Sequence, residues 1–139
     1  LYYFRNSLQD KGLYRPEWAL DCEMTSPFAY QALSRAIKEW DQPPTALFIS
    51  SDAMVQGVLH ALDEAGWAIP EQISLIAFND TPLSQNATPP LSSVRVLQHE
   101  LAVVAMTAME LSRSGAQYPF KTVVPCVFVD RRSVAKAKK

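Results

Sequence analysis

Apolar residues recur at helical spacing in four stretches of the chain, and each stretch is followed by a glycine or a proline. In the first stretch Leu1, Phe4 and Leu8 share one helix face, and Gly12 is suited to the C-terminal stop. In the second, apolar positions step along one face from Tyr30 to Trp40 before Pro43 and Pro44 end it. The other two stripes are Val55, Val58, Leu59 and Leu62, closed by Gly66, and Leu97, Leu101, Val104, Ala108 and Leu111, ending near Gly115.

Short apolar runs of strand length alternate with these helices. The runs are 18–22, 45–50, 73–78, 91–96 and 123–129. Runs that are almost continuously apolar suit parallel strands whose two faces are both covered. Pro125 interrupts the last run, so this strand is expected at a sheet edge or at a crossing between sheets. Strands that alternate with helices predict an α/β fold with a mostly parallel sheet flanked by helices.

Polar residues follow two of the predicted strands directly. Ser50, Ser51 and Asp52 come after one strand, and a second polar cluster, 79–81, comes after the next. Parallel strands share a direction, so both clusters are expected at the carboxyl edge of the sheet, where open α/β sheets bind ligands. Hydroxyl, amide and carboxylate groups there suit a ligand that carries many hydroxyl groups.

The four most informative residues of these clusters are expected to differ in role. Asp52 is placed to cap the helix that follows it, and Asp80 either fixes the turn before Pro82 or contacts the ligand. Ser51 and Asn79 are the better ligand candidates, because no capping role occupies them.

Composition and charge narrow the classes of partner. The 139 residues carry 13 basic and 14 acidic side chains, without the basic excess of a nucleic-acid-binding surface. The basic cluster at the end is interpreted as a solvated tail; it comprises Arg131, Arg132, Lys136, Lys138 and Lys139. No apolar run is long enough for a membrane span, and no signal peptide is visible at the start of the sequence.

Neither the cysteines nor the histidines form a recognisable reactive site. Cys22 and Cys126 lack metal-ligand spacing and are expected to be reduced, buried thiols of a cytoplasmic protein. His60 and His99 are interpreted as surface residues on helices. There is no nucleophile elbow or glycine-rich phosphate loop, so we predict no catalytic residue, no metal, no cofactor and no enzyme activity.

Four linked segments resemble the lactose-repressor/galactose-repressor family of bacterial transcription regulators. In chain order they are 44–54, 69–81, 89–94 and 124–133. The first resembles the family's strand that runs into a polar pair and a helix, the second its following signature, and the last its closing strand. Together they cover nearly the whole chain in the family's order.

The resemblance implies an incomplete two-lobed domain, periplasmic-binding-protein-like, that binds an effector, expected to be a sugar. Residues 1–95 and 126–139 would form its C-terminal lobe, residues 96–125 would return from the N-terminal lobe, and the DNA-binding headpiece would be absent. It also implies effector contacts at Ser51, Asp52 and Asn79, with a sugar-stacking position at Met24. Ser51 stands where the family has asparagine and Asn79 where it has aspartate, so the ligand or its binding mode is open.

By the same resemblance, the protein would be a cytoplasmic homodimer or tetramer that binds operator DNA through the absent headpiece and has no membrane partner. Gln56 and the loop from Leu83 to Ala87 would form the dimer contact, although Leu83 could instead pack under its own loop. A periplasmic sugar-binding protein of a transport system is the main alternative, because it shares the lobe architecture. An α/β enzyme is a third possibility, which lacks an identifiable nucleophile or metal.

Overall fold

Helices and strands alternate along the computed structural model, which describes residues 2–115 and 121–136. The elements are α1 (Tyr2–Asp10), α2 (Ser26–Glu39), β1 (Ala46–Phe48), α3 (Val55–Glu64), β2 (Ser74–Asn79), α4 (Pro82–Gln85), β3 (Ser92–Arg95), α5 (Gln98–Arg113) and β4 (Val127–Val129). Short 3-10 turns lie at Pro16–Trp18 and Asp52–Met54. The first predicted helix position, Leu1, lies outside the described residues, as do Lys138 and Lys139.

One four-stranded sheet, in the order β1-β2-β3-β4, organises the chain. β1 and β2 are parallel, with Leu47 opposite Leu75, and β2 and β3 are also parallel, with Phe78 opposite Val94. β4 runs antiparallel to β3 at the other edge. The predicted α/β class with a mostly parallel sheet is therefore confirmed, and the carboxyl ends of β1, β2 and β3 meet at one edge.

The hydrophobic core lies between the sheet and the helix pair α2 and α3. The predicted apolar stripe of α3 is confirmed, since Val55, Val58 and Leu62 are buried and Leu59 is half-buried. α2 approaches α3 closely at Gly57, where a Cβ would lie 1.9 Å from the carbonyl oxygen of Ser26. Only glycine leaves room for this contact between the two backbones.

The segment after β4 closes the sheet through Ser133, whose side chain is fully buried. Its hydroxyl accepts a hydrogen bond from the Ser92 amide at 2.8 Å and donates one to the Leu75 carbonyl at 2.6 Å. The Leu75 amide donates to the Ser133 carbonyl at 2.7 Å. Ser133 thus joins β2 and β3 to the segment that follows β4.

α5 forms where its apolar stripe predicts, but none of its residues is buried. Its exposed large side chains include Leu101, Met106 and Met109. A helix with an apolar stripe is normally stabilised by packing that stripe against a neighbour. In the part of the chain that the structure describes, α5 has no such cover.

The predicted strand from Trp18 to Cys22 is wrong. Pro16–Trp18 is a 3-10 turn, and residues 19–22 form no ladder with any described strand. Instead, the indole N–H of Trp18 donates to the Gln42 carbonyl at 3.0 Å, and that of Trp40 donates to the Glu17 carbonyl at 2.8 Å. The segment is therefore held by side chains rather than by strand pairing.

The segment 19–22 and the outer edge of β1 both border an apolar cavity of about 190 Å³. Phe48 and Ser50 line it from the sheet side, and Phe4 and Leu8 line it from α1. β1 pairs only with β2, so its other edge faces this cavity without a strand partner among the described residues.

The two cysteines are free, and their surroundings differ. Cys22 is half-buried, and burial together with the nearby Asp21 carboxylate raises the pKa of its thiol. Cys126 is exposed, so the expectation of a buried thiol is wrong there, because the residue precedes β4 at the edge of the sheet. None of the helices in the described ranges is long and apolar enough to cross a membrane.

Candidate functional site

The carboxyl edge of the sheet brings the two predicted polar clusters into direct contact. The buried carboxylate of Asp52, which follows β1, accepts hydrogen bonds from two residues that follow β2. The backbone N–H of Thr81 lies 2.5 Å from its Oδ2, and the hydroxyl of Ser84 lies 2.9 Å from the same oxygen. The expectation that both clusters share one edge is confirmed by these bonds.

Asp52 does not cap the helix that follows it, so that prediction is wrong. Ser51 is the N-cap of the 3-10 turn, and its hydroxyl accepts a long hydrogen bond of 3.4 Å from the Ala53 amide. The Asp52 side chain turns towards the loop after β2, where a backbone N–H and a hydroxyl satisfy one of its oxygens. Asp52 therefore positions the Thr81–Ser84 loop against the end of β1.

Asn79 and Asp80 occupy unusual backbone conformations at the end of β2. Their φ angles are +106° and +60°, and residues other than glycine seldom adopt a positive φ. Each such residue costs about 1–3 kcal/mol and persists only where its surroundings hold it. Asn79 is half-buried, and its side chain makes no hydrogen bond to any residue that the structure describes.

Asp80 is held by two arginines. Its Oδ1 lies 2.6 Å from Nη1 of Arg131, and its Oδ2 lies 2.7 Å from Nε of Arg95, while its own side chain is 0% exposed. Burial by itself raises the pKa of this carboxyl, but the hydrogen bonds and charges of Arg131 and Arg95 outweigh it and lower the pKa. Asp80 is therefore ionised in the folded protein at neutral pH.

The interpretation of Arg131 as part of a solvated tail is wrong. Its side chain is only 18% exposed and also donates a hydrogen bond of 2.7 Å to the Leu91 carbonyl. Sequence reasoning also missed Arg95, although its position carried a signal. Ser93 and Arg95 lie on one face of β3, and Leu91, directly before the strand, alternates with them; Leu91 and Ser93 are fully buried. A charged residue in such a series needs a partner.

The remaining predicted contacts lie in different surroundings. Met24 is in the turn before α2, where its side chain is 63% exposed, and no hydrogen bond among the described residues links that turn to the edge. Gln56 is exposed on α3, and Leu83 is exposed on α4 rather than packed under its own loop. Ala87 is 7% exposed and belongs to the core, so it offers a partner little surface.

The side chains at this edge can donate and accept hydrogen bonds, but its described residues do not form a metal site. In residues 2–115 and 121–136 no group of three His, Cys, Asp or Glu side chains is close enough to hold a metal ion. Both oxygens of Asp80 are paired with arginines, whereas Asp52 uses Oδ2 for its two hydrogen bonds and its buried Oδ1 has no partner among the described residues. The expectation that no capping role occupies Ser51 is wrong, because its hydroxyl accepts from the Ala53 amide, but that hydroxyl can still donate a hydrogen bond. The Asn79 amide makes no hydrogen bond to the described residues.

Known proteins share this architecture and much of this sequence. The family model of the periplasmic binding protein-like domain matches residues 1–134. The lactose operon repressor of Rhizobium radiobacter is 34% identical over 93 residues, which are 67% of this chain and 82% of that protein. The chain belongs to the lactose-repressor/galactose-repressor family.

Other members of the lactose-repressor/galactose-repressor family extend the comparison. The transcriptional regulator GalR of Streptococcus thermophilus is 40% identical over 103 residues, which are 74% of this chain and 31% of that protein. The crystal structure of a LacI-family transcriptional regulator from Arthrobacter sp. FB24, in complex with lactose, is 26% identical. Its TM-score is 0.81, and the match covers 94% of this chain and 48% of that one.

These matches confirm the resemblance and the periplasmic-binding-protein-like fold. The chain spans about a third of the GalR relative and about half of the Arthrobacter structure. The relatives named here are transcription regulators, and none of them is named as an enzyme.

Proposed function

We propose that this chain is the effector-binding part of a transcription regulator in which a sugar, bound at the carboxyl edge of the sheet, alters the affinity for operator DNA. The observation that carries the proposal is the position of Asn79. It ends β2 beside the Ser51 cluster, and its side-chain amide has no hydrogen-bond partner among the described residues. An amide held in this way is a donor and an acceptor ready for ligand hydroxyl groups.

The charge balance of the edge favours a neutral, hydroxyl-rich ligand. Asp80 is paired with Arg95 and Arg131, and Asp52 accepts two hydrogen bonds at Oδ2, while its buried Oδ1 has no partner among the described residues. Ser51 and Asn79, which are uncharged, are left to recognise the ligand, and Met24 would add an apolar contact in the role that the family gives to a sugar-stacking side chain.

The proposed ligand lies between two lobes. Residues 1–95 and 126–139 form the C-terminal lobe in this proposal, and residues 96–125 belong to the N-terminal lobe. The exposure of α5 supports this division, because a helix with an apolar stripe and no buried residue lacks the element that it packs against. A sugar that contacts both lobes stabilises one relative orientation of them.

The named relatives favour a regulator over the transport alternative, because they are transcription regulators. The proposed regulator acts in the cytoplasm as a homodimer or tetramer, binds operator DNA through a headpiece outside this chain, and has neither a catalytic role nor a membrane partner. Gln56 and Leu83, both exposed, are the proposed dimer contacts.

A thermal-shift screen of the longer regulator tests the ligand. The panel contains lactose, galactose, other mono- and disaccharides, and purines. A sugar present at a hundredfold its dissociation constant is expected to stabilise the protein by about 2.7 kcal/mol.

Two variants test the residues at the edge. Asn79→Gly keeps the left-handed backbone and removes the amide, so we expect it to weaken sugar binding about tenfold or more, the equivalent of one lost hydrogen bond of about 1.4 kcal/mol. Ser51→Ala is expected to weaken it less.

Ser7→Ala, on the exposed surface of α1, is the matched control and is expected to leave the sugar response unchanged. A sugar that binds equally well to the Asn79 and Ser51 variants contradicts the assignment of the edge. A regulator that binds a sugar but shows the same operator affinity with and without it, measured by fluorescence anisotropy, contradicts the regulatory function.

A further inference from the structure

We propose that Asp80 is a positioning residue that clamps the end of β3 to the residues just after β4, and so couples the ligand edge to the segment 96–130. This inference rests on the proposed function, because the coupling concerns the same edge. It concerns a residue that need not touch the ligand itself.

The two arginines mark the base of that segment. Arg95 is the last residue of β3, directly before the chain departs towards α5. The chain returns to the sheet at β4, whose Val127 lies opposite Arg95, and Arg131 lies two residues after β4. Each takes a different oxygen of Asp80, at 2.7 Å and 2.6 Å respectively. One carboxylate therefore holds both ends of a segment of about 35 residues.

The clamp is strong because its centre is out of water. The Asp80 side chain is fully buried, while Arg95 is 45% exposed and Arg131 is 18% exposed. Removing one partner from a buried ion pair leaves a charge that the other partner must satisfy alone, so the arrangement resists partial opening. Because Arg95 is more exposed than Arg131, replacing Arg95 is expected to disturb the fold less than replacing Arg131.

The same residue sets the backbone of the ligand candidate. Asp80 follows Asn79 directly, and both have positive φ angles. The Asp80 carbonyl accepts a hydrogen bond of 2.6 Å from the Gln85 side chain, so both its main chain and its carboxylate are fixed. A shift of either arginine is transmitted to Asn79 through one peptide unit, and a ligand that fixes Asn79 acts on the arginines in return.

α5 makes this coupling consequential. None of its residues is buried against the sheet, so its direction depends on the short connection 96–97 and on the base that the clamp holds. A small displacement at the base becomes a larger one along a helix of 16 residues.

The test compares Arg95→Gln with Arg132→Gln in the longer regulator. Arg132 is the exposed neighbour of Arg131, and its side chain makes no ion pair with the residues that the structure describes. The readout is the ratio of operator affinities without and with the sugar identified by the screen. Arg95→Gln is expected to lower that ratio about fivefold or more and to change the sugar dissociation constant by less than about threefold. Arg132→Gln is expected to change neither, and an unchanged ratio in Arg95→Gln overturns the coupling.

Hydrogen exchange on this chain, without ligand, tests the clamp independently. Arg95→Gln and Asp80→Asn are expected to speed amide exchange about tenfold at 79–81 and 127–131, while α2 and α3 keep their protection. Equal rates in wild type and in both variants overturn the clamp. If the wild-type regulator responds to no sugar, the proposed function fails, and this measurement still decides whether Asp80 holds the two ends together.

Discussion

Asp80 keeps a full charge in the interior of the protein because two cations are brought to it from distant parts of the chain. Arg95 lies 15 residues away in sequence and Arg131 lies 51 residues away. Burial opposes ionisation, and the two arginines reverse that effect, which is why the pKa falls below its ordinary value of 3.8. A lowered carboxyl pKa makes part of the stability depend on pH.

The sign of that dependence follows from the direction of the shift. The stability that the ionised Asp80 contributes is complete above about 3.8, its unfolded pKa, and is lost as the pH falls through the lower folded pKa. Asp80→Asn lacks this contribution at every pH. We therefore expect urea denaturation to show a gap in unfolding free energy between wild type and Asp80→Asn at about pH 6 that narrows by about pH 3.

Other carboxyl groups titrate in both proteins, so they largely cancel from this difference. Asp10→Asn, on the exposed end of α1, is a control that is expected to show no comparable gap. A gap for Asp80→Asn that stays constant over the whole range contradicts the ion pairs.

Individual residues of the site differ in how far the sequence predicted their positions and roles. The direction of parallel strands was enough to bring Ser51 and Asn79 to one edge. The role of Asp52 was wrong because a cap and a cross-loop contact use the same residue type at the same position. Arg131 was missed because its partner is far away in sequence, and a local run of basic residues is typical of a solvated tail.

At the scale of elements, the contact between α2 and α3 depends on a single missing side chain. Gly57 lies in the buried face of α3, against the first turn of α2 at Ser26 and Tyr30. The obstacle there is backbone, which cannot rotate away as a flexible side chain can. The two helices would have to separate to admit a methyl group.

Gly57→Ala is therefore expected to destabilise the protein by about 1–3 kcal/mol, despite the better helix propensity of alanine. Urea denaturation followed by circular dichroism measures the change. Asp63→Ala, at an exposed position of the same helix, is expected to stay within about 0.5 kcal/mol of wild type. Equal stability of the two variants contradicts the close approach of α2 and α3.

Periodicity predicted α1, α2, α3 and α5, because an apolar stripe is a local property of the sequence, but it did not predict the four-residue α4. It did not predict that no residue of α5 is buried. An apolar stripe shows that a helix has a face to bury, but it does not identify the element that packs against that face. The segment 19–22 was misread for the opposite reason. Its apolar run is compatible with a strand, but a strand exists only where a neighbour supplies a ladder.

At the scale of the whole molecule, the sheet ends in β1 on one side and β4 on the other, and among the described residues neither has a second strand partner. Thr45 and Ile49, which flank β1, bond to Ser74 and Ile76 of β2. The alternate residues Ala46 and Phe48 therefore direct their backbone groups away from β2, and Phe48 lines the apolar cavity. Unpaired strand edges beside apolar surface favour association with another chain.

We expect this chain to self-associate as its concentration rises, as measured by light scattering after size-exclusion chromatography. Ala46→Pro removes an outward N–H without touching the bonds to β2, so it is expected to shift the protein towards the monomer. The control is Lys121→Pro, at an exposed position outside β1 whose amide makes no backbone hydrogen bond in the described ranges. Association that Ala46→Pro leaves unchanged contradicts a role for this edge.

The burial of Ser133 between β2 and β3 has a consequence for biosynthesis. The Ser92 amide receives its hydrogen-bond partner only when a residue 41 positions later has been made. At ribosomal rates of about 5–20 residues per second, that interval lasts roughly 2–8 s. During this time α2, α3 and the first three strands can assemble, but β2 and β3 still lack their hydrogen bonds to Ser133. A chain whose synthesis stalls within α5 therefore lacks the hydroxyl that pairs with the Ser92 amide and the Leu75 carbonyl.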